Sequence, residues 1–151
     1  MPAWVVDASV GLKLFIGEAL SGEADLLFAA LDSDPPARLY VPDLFYIECA
    51  SVLWKHVTRF GYPAALAREN LIKLRSLLLH SIPTAALLTE ALEIALSQGI
   101  TAYDACYVAL AWKLRTPFIT ADEKLVHQLK GSPYQITWLG DLKSLPTPDL
   151  S

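Results

Sequence analysis

The sequence predicts an α/β fold, a three-layer α/β/α sandwich with a central, mostly parallel sheet. Short apolar runs rich in β-branched residues alternate with longer stretches of helical periodicity along the chain. That alternation implies strands joined by crossover helices, the arrangement that builds a parallel sheet covered on both faces. The length of 151 residues suits one domain with one core.

The elements are expected in the following order. AWVV, residues 3–6, is short and apolar and reads as a buried strand ending at Asp7. Helices are expected over residues 9–16 and 22–31, the second with Leu26, Leu27, Ala30 and Leu31 facing inward. The run DSDPPAR is a loop, because a proline pair cannot continue a helix. Residues 39–41 form a second short strand. Asp43, after Pro42, reads as the N-cap of a long helix that runs to Phe60 and stops at Gly61. Pro63 suits the first turn of the next helix, expected to reach residue 79. A strand over 80–82 precedes a helix over 84–97, with Gly99 as its stop. Thr101 opens a helix to residue 114, followed by a strand over 117–120, a helix over 122–129 and a last strand over 135–139. No repeat or linker interrupts the chain, so residues 1–143 are expected to form one domain and 144–151 a frayed tail.

Composition narrows the function classes. Hydrophobic residues make up 54%, high for so short a chain, so some apolar surface is expected to meet another chain. No stretch of about 18 apolar residues lacks charges, so no membrane span is expected. The opening MPAWVVDAS has no basic segment followed by a signal-like apolar run, so a cytoplasmic location is expected. Cys49 and Cys106 lie in apolar helical contexts and read as reduced, buried residues. The formal charge of −4 is not that of an obvious nucleic-acid binder. Two bound divalent ions would bring it to about zero and leave the basic residues to meet a phosphate backbone.

Four carboxylates carry the chemistry: Asp7 in VVDAS, Glu48 in FYIECAS, Asp104 in TAYDACYVAL and Asp122 in FITADEKL. Asp7 and Asp122 each follow a strand, where they suit either helix capping or a site beyond the strand end. Asp104 stands three residues after Thr101, the spacing of a capping box, on a helix apolar nearly all round. Glu48 lies inside its helix and caps nothing. Its neighbours are apolar, and Lys55 and Arg59 are not at the favoured four-residue offset. Two such charges about 5 Å apart repel by roughly 3 kcal/mol at an effective dielectric near 20. A cluster of four therefore calls for protons, basic partners or cations, and hard oxygen ligands select Mg²⁺ or Mn²⁺. His56, His80 and His127 have no metal-binding spacing, no serine has the setting of a hydrolase nucleophile, and there is no glycine-rich phosphate loop.

At these residues the chain resembles PIN-domain proteins, in particular VapC-type toxins of toxin–antitoxin pairs. The blocks VVDASVGLKLF, VPDLFYIECASVLWK, TAYDACYVALAWKLRTPFIT and ADEKL match that family in order and cover nearly the whole chain. The resemblance implies Mg²⁺- or Mn²⁺-dependent endoribonuclease activity, with products bearing a 5′-phosphate and a 3′-hydroxyl. Asp7, Glu48, Asp104 and Asp122 match its acidic quartet. Thr120 matches a supporting hydroxyl, and Ser9 a partner of Asp7. Ser51 stands where many relatives have Asn, and its shorter reach puts metal affinity in question. Lys13, Arg59, Lys113, Arg115 and Lys124 are candidate RNA contacts. The resemblance also implies a VapB-like antitoxin, with Phe45, Tyr46, Trp54 and Phe60 as candidates for its groove. The excess of apolar residues, Trp112 and its neighbours among them, could instead serve a homodimer. A nuclease of RNA processing outside toxin–antitoxin systems and a non-catalytic RNA- or protein-binding domain are the rival readings.

Overall fold

The computed structural model describes residues 3–16, 19–33 and 36–142. The expected tail, 144–151, lies outside the described residues. Five strands form one sheet: β1 (Ala3–Val6), β2 (Arg38–Pro42), β3 (His80–Ile82), β4 (Phe118–Thr120) and β5 (Ile136–Trp138). Their spatial order is β3-β2-β1-β4-β5 and every pairing is parallel. The helices are α1 (Ala8–Gly11), α2 (Ser21–Ala29), α3 (Leu44–Phe60), α4 (Ala64–Arg75), α5 (Leu88–Gln98), α6 (Ala102–Leu114) and α7 (Glu123–Gln128).

The strand order contains a reversal. The chain steps outward from β1 to β2 to β3, then returns through α5 and α6 to the other side of β1. Right-handed crossovers put α1–α4 on one face of the sheet and α5 and α6 on the other. A crevice opens where the order reverses, beyond the carboxyl ends of β1 and β4. Asp7 directly follows β1 and Asp122 follows β4 by two residues.

The central strands are buried on both sides: Val5, Val6, Leu39, Val41, Phe118 and Ile119 are each at most 1% exposed. Such strands read as continuous apolar runs, not alternating ones. The centre of α6 is likewise sealed, Ala105 through Ala111 being buried without a break. Cys49 and Cys106 are buried free thiols, as expected.

Several expected boundaries shift. The helix expected over 9–16 is one α-turn, Ala8–Gly11, continued as a 3-10 turn over Leu12–Leu14. In α2 the inward face is Ala24, Leu27 and Phe28, while Leu26 is 43% exposed. The last turn expected there is a 3-10 turn, Ala30–Asp32. Helix α4 ends at Arg75, because the chain must extend again to pair β3 with β2. The helix expected from Thr84 begins as a 3-10 turn, and its α-helical part starts at Leu88. Leu88, Leu92 and Leu96, four residues apart, form an exposed stripe on α5, whereas Leu87, Ala91 and Ile94 face the core. Phe45 belongs to the core, while Trp54 and Phe60 are 58% and 75% exposed.

Gly61 ends α3 in the left-handed region, φ 68°, as its position suggests. The other end of α3 differs from expectation. Asp43 sits at the N-cap position with helical backbone angles, φ −66° and ψ −16°, and its side chain does not cap α3. It turns instead to Thr84. The Thr84 amide and hydroxyl donate to Asp43 Oδ1 at 2.8 and 2.5 Å, and the Leu44 amide donates to Thr84 Oγ1 at 3.0 Å. A side chain 40 residues away in sequence thus satisfies an orphan amide of α3. Thr84→Val keeps the shape and the hydrogen bond from its amide to Asp43, removes the two bonds made by the hydroxyl, and is expected to cost about 1–2 kcal/mol in urea unfolding. An unchanged denaturation midpoint would show that the link contributes nothing.

Candidate active site

Asp7 sits at the junction of β1 and α1 and is 7% exposed. Its carboxylate is held on both oxygens. Ser9 Oγ donates to Oδ1 at 2.5 Å, the Val10 amide donates to Oδ1 at 3.3 Å, and Thr120 Oγ1 donates to Oδ2 at 2.6 Å. Thr120 is the last residue of β4, so this bond ties the ends of two neighbouring strands. The same hydroxyls accept from the next loop: the Ala121 amide donates to Ser9 Oγ at 3.0 Å and the Asp122 amide to Thr120 Oγ1 at 3.1 Å. Burial pushes the Asp7 carboxyl up to about 6, against the lowering pull of Ser9, Thr120 and Val10, with a smaller upward push from Asp104.

Asp122 caps α7, its Oδ1 accepting from the Leu125 amide at 3.2 Å. Thr101 caps α6 in the same way, accepting from the Asp104 amide at 3.1 Å, so the capping spacing read from the sequence is real. Capping and site-lining are compatible: a helix N-terminus at the strand ends puts its first-turn carboxylate over the crevice. Burial raises Asp104, opposed by Thr101, and the Asp122 charge adds to the rise.

Glu48 lies in the first half of α3. Its partner is Tyr107 of α6, whose hydroxyl donates to Glu48 Oε1 at 2.6 Å. With α3 and α6 on opposite faces, this bond closes across the carboxyl end of the sheet. The Tyr107 ring is buried and stacks on Phe118 of β4 at 5.6 Å and 10°. Burial raises Glu48, the Tyr107 bond opposes that rise, and Asp104 adds to it. Burial beside Glu48 raises Tyr107 in turn, so its phenol stays protonated and can only donate to a carboxylate.

All four carboxylates line one cleft of about 750 Å³, together with Ser9 and Ser51. Lys13 lines it as well, whereas Arg59, Lys113, Arg115 and Lys124 do not. Lys113 and Arg115 lie at the far end of α6, about 15 Å along the helix from Asp104. The residues not anticipated are Tyr107, Lys55 and His56, all of which line the cleft. The helical spacing Glu48–Val52–Lys55 and Asp104–Tyr107 carried that information, because residues three and four apart share a face.

The donor set is all carboxylate and hydroxyl oxygen, which suits a hard cation, and three of the four acids are raised by their surroundings. Among the described residues, no three His, Cys, Asp or Glu side chains are placed to hold a metal ion between them.

Residues 4–129 match the PIN domain family. The chain belongs to the PIN domain family. The PIN domain occupies most of the sequence, and relatives are similar over about four fifths of it. Ribonuclease VapC3 of Pyrobaculum aerophilum is 34% identical over 129 residues, covering 82% of this chain and 92% of that protein. The crystal structure of PAE2754 from the same organism superposes with a TM-score of 0.67 at 25% identity, covering 92% of each chain. A toxin–antitoxin complex from Klebsiella pneumoniae contains a chain of the same fold, with a TM-score of 0.62 at 16% identity over 88% of this chain and 94% of that one. No helix among the described residues of this PIN domain is long and apolar enough to cross a membrane.

Proposed function

We propose that this chain is a divalent-metal-dependent endoribonuclease and the toxin of a toxin–antitoxin pair. The observation that carries the reading is the convergence of Asp7, Glu48, Asp104 and Asp122 on one cleft at the reversal point of a parallel sheet. A relative of 34% identity named a ribonuclease supports the activity, and the fold shared with a toxin–antitoxin complex supports the biological setting.

Asp7, Asp104, Asp122 and Glu48 are the groups that would hold Mg²⁺ or Mn²⁺. Such an ion supplies an acidified water near neutral pH and a positive field for the phosphoryl oxygens. The chain's own contribution is preorganisation. Ser9 and Thr120 keep Asp7 in one orientation, and Tyr107 commits Glu48 Oε1, which leaves Oε2 for the cleft. Ser51 brings a hydroxyl to the same wall one turn beyond Glu48. In this reading an antitoxin covers exposed apolar side chains of α3 such as Ile47 and Trp54, and a second copy of the chain covers part of the remainder.

The test is cleavage of total cellular RNA by partner-free protein with Mg²⁺ or Mn²⁺ against EDTA. Metal-dependent cleavage is expected, with 5′-phosphate ends. A second reading, an RNA-binding domain that does not cut, draws on the absence of a three-ligand set among the described residues. Binding of RNA without cleavage in either metal would favour it over the nuclease.

A further inference from the structure

A second cavity, of about 420 Å³, lies at the opposite end of α6 from Asp104, where the C-terminal half of that helix faces the segment entering the edge strand β5. Its apolar lining comes from Val108 and Ala111 of α6 and Ile136 of β5. Trp112 and Tyr134 add an aromatic corner, their ring centroids 5.3 Å apart and their planes at 75°. Among the described residues that line it, Arg115 is the one cation and none is acidic. Two observations single out Arg115. Its backbone lies in the left-handed region, φ 55° and ψ 43°, where glycine is relaxed and an arginine is strained. Nothing in the chain uses its side chain to offset that strain. The helix end is capped by the amides of Arg115 and Thr116, which donate to the Trp112 and Ala111 carbonyls at 3.2 and 3.0 Å. The guanidinium makes no hydrogen bond or ion pair among the described residues. A strained residue whose head group stands uncommitted beside a cavity points to a function outside the fold.

We propose that this cavity binds a small aromatic carboxylate, its ring against Trp112 and Tyr134 and its carboxylate on the Arg115 guanidinium. The inference is independent of the ribonuclease reading. The volume falls within the range of small-molecule pockets, roughly 300–1,000 Å³, which combine an apolar lining with a few polar groups that fix orientation. Two rings set edge to face leave a corner that a third ring fills in the offset or edge-on contacts aromatic groups prefer. The guanidinium fork matches a carboxylate through two parallel N–H···O bonds. A phosphate dianion calls for more positive charge than one guanidinium, and no second cation lines the cavity among the described residues. A second copy of the chain is the competing occupant, since Trp112 is 58% exposed. A two-fold contact centred here lays the same patch on itself and brings no acid to Arg115, which favours the small anion.

The experiment is titration of the whole chain with phenylacetate, with its neutral counterpart phenylacetamide, and with acetate, which has the charge without the ring. Binding is followed at the Trp112 indole N–H signal in proton NMR, identified by comparison with Trp112→Phe. Saturable binding of phenylacetate is expected, about tenfold or more tighter than that of the amide or of acetate. Arg115→Gly is expected to weaken phenylacetate about tenfold and to leave the amide within about twofold. Its melting temperature should be no lower than that of wild type, because glycine suits the left-handed angles, so a lost guanidinium is not confused with a lost fold. Phenylacetate binding no tighter than the amide or acetate, or binding Arg115→Gly as it binds wild type, overturns the inference. So does the absence of saturable binding at millimolar concentrations. Displacement of bound phenylacetate by a single-stranded RNA would assign Arg115 to RNA and overturn it as well. None of these outcomes bears on metal-dependent cleavage at the acidic cleft, which is measured separately.

Discussion

Asp7→Asn is expected to reduce metal-dependent RNA cleavage by about a thousandfold or more and, without metal, to stabilise the protein above neutral pH. The activity loss follows because the substitution removes a charged oxygen ligand from the best-fixed position in the cleft. The stability gain follows from the direction of the titration. The Asp7 carboxyl is held near 6 in the folded protein against an ordinary value of 3.8. Between those values the folded state binds a proton that the unfolded chain has lost. Stability from this group is therefore full below about pH 4 and is lost as pH rises through 6. The shift of roughly two units corresponds to about 3 kcal/mol. Asn keeps the size of the side chain and one oxygen to accept from Ser9 and Val10, gives up the bond from Thr120 because its amide nitrogen only donates, and carries no charge to bury. The melting temperatures of wild type and Asp7→Asn, measured in EDTA from pH 4 to 8, should diverge as pH rises, with the variant higher. Added Mg²⁺ should close the gap by stabilising wild type alone, since metal binding requires the ionised carboxylate. Parallel melting curves across pH, or cleavage surviving in the variant, would remove Asp7 from the proposed site.

Tyr107→Phe is expected to lower cleavage by about 10–100-fold with little effect on folding. The ring stays on Phe118, so the core loses no volume, and Glu48 is half-buried and able to take a water in place of the phenol. What disappears is the bond that selects which Glu48 oxygen faces the cleft. A readout independent of activity is the Mn²⁺ concentration at half-maximal thermal shift, which should rise in the variant. The decisive comparison is with Glu48→Gln. If Tyr107 acts through Glu48, adding Tyr107→Phe to Glu48→Gln costs little more, whereas independent roles give additive losses. Full additivity would mean that the 2.6 Å bond has no part in the chemistry.

The elements and the acids were legible in the sequence for a local reason. Strand and helix periods repeat every two and 3.6 residues, so Ala3–Val6, α3 and α6 announce themselves over a few turns of chain. Carboxylates in apolar contexts are costly, and Glu48 stood out because its own helix offered it no partner. The capping spacing of Thr101 and Asp104 is equally local, and the structure contains the bond it implies.

Other features needed contacts between residues far apart in the chain. Asp43 had the sequence of an N-cap, yet Thr84 takes its carboxylate, because β3 brings Thr84, two residues past its end, alongside the start of α3. The apolar pattern of residues 84–97 did not distinguish Leu87 in the core from Leu88 in solvent, since periodicity marks a face without saying how wide the facing layer is. Tyr107 passed for one more apolar residue on a buried helix until the sheet reversal set α6 across from α3 and aimed its hydroxyl at Glu48. Sequence alone determined the fold class and singled out the four acids as candidates for hard-cation chemistry, because those rest on residue type and local spacing. The tertiary structure decided which basic and aromatic side chains share the cleft with them, because that depends on strand order, and strand order is set by packing between distant segments.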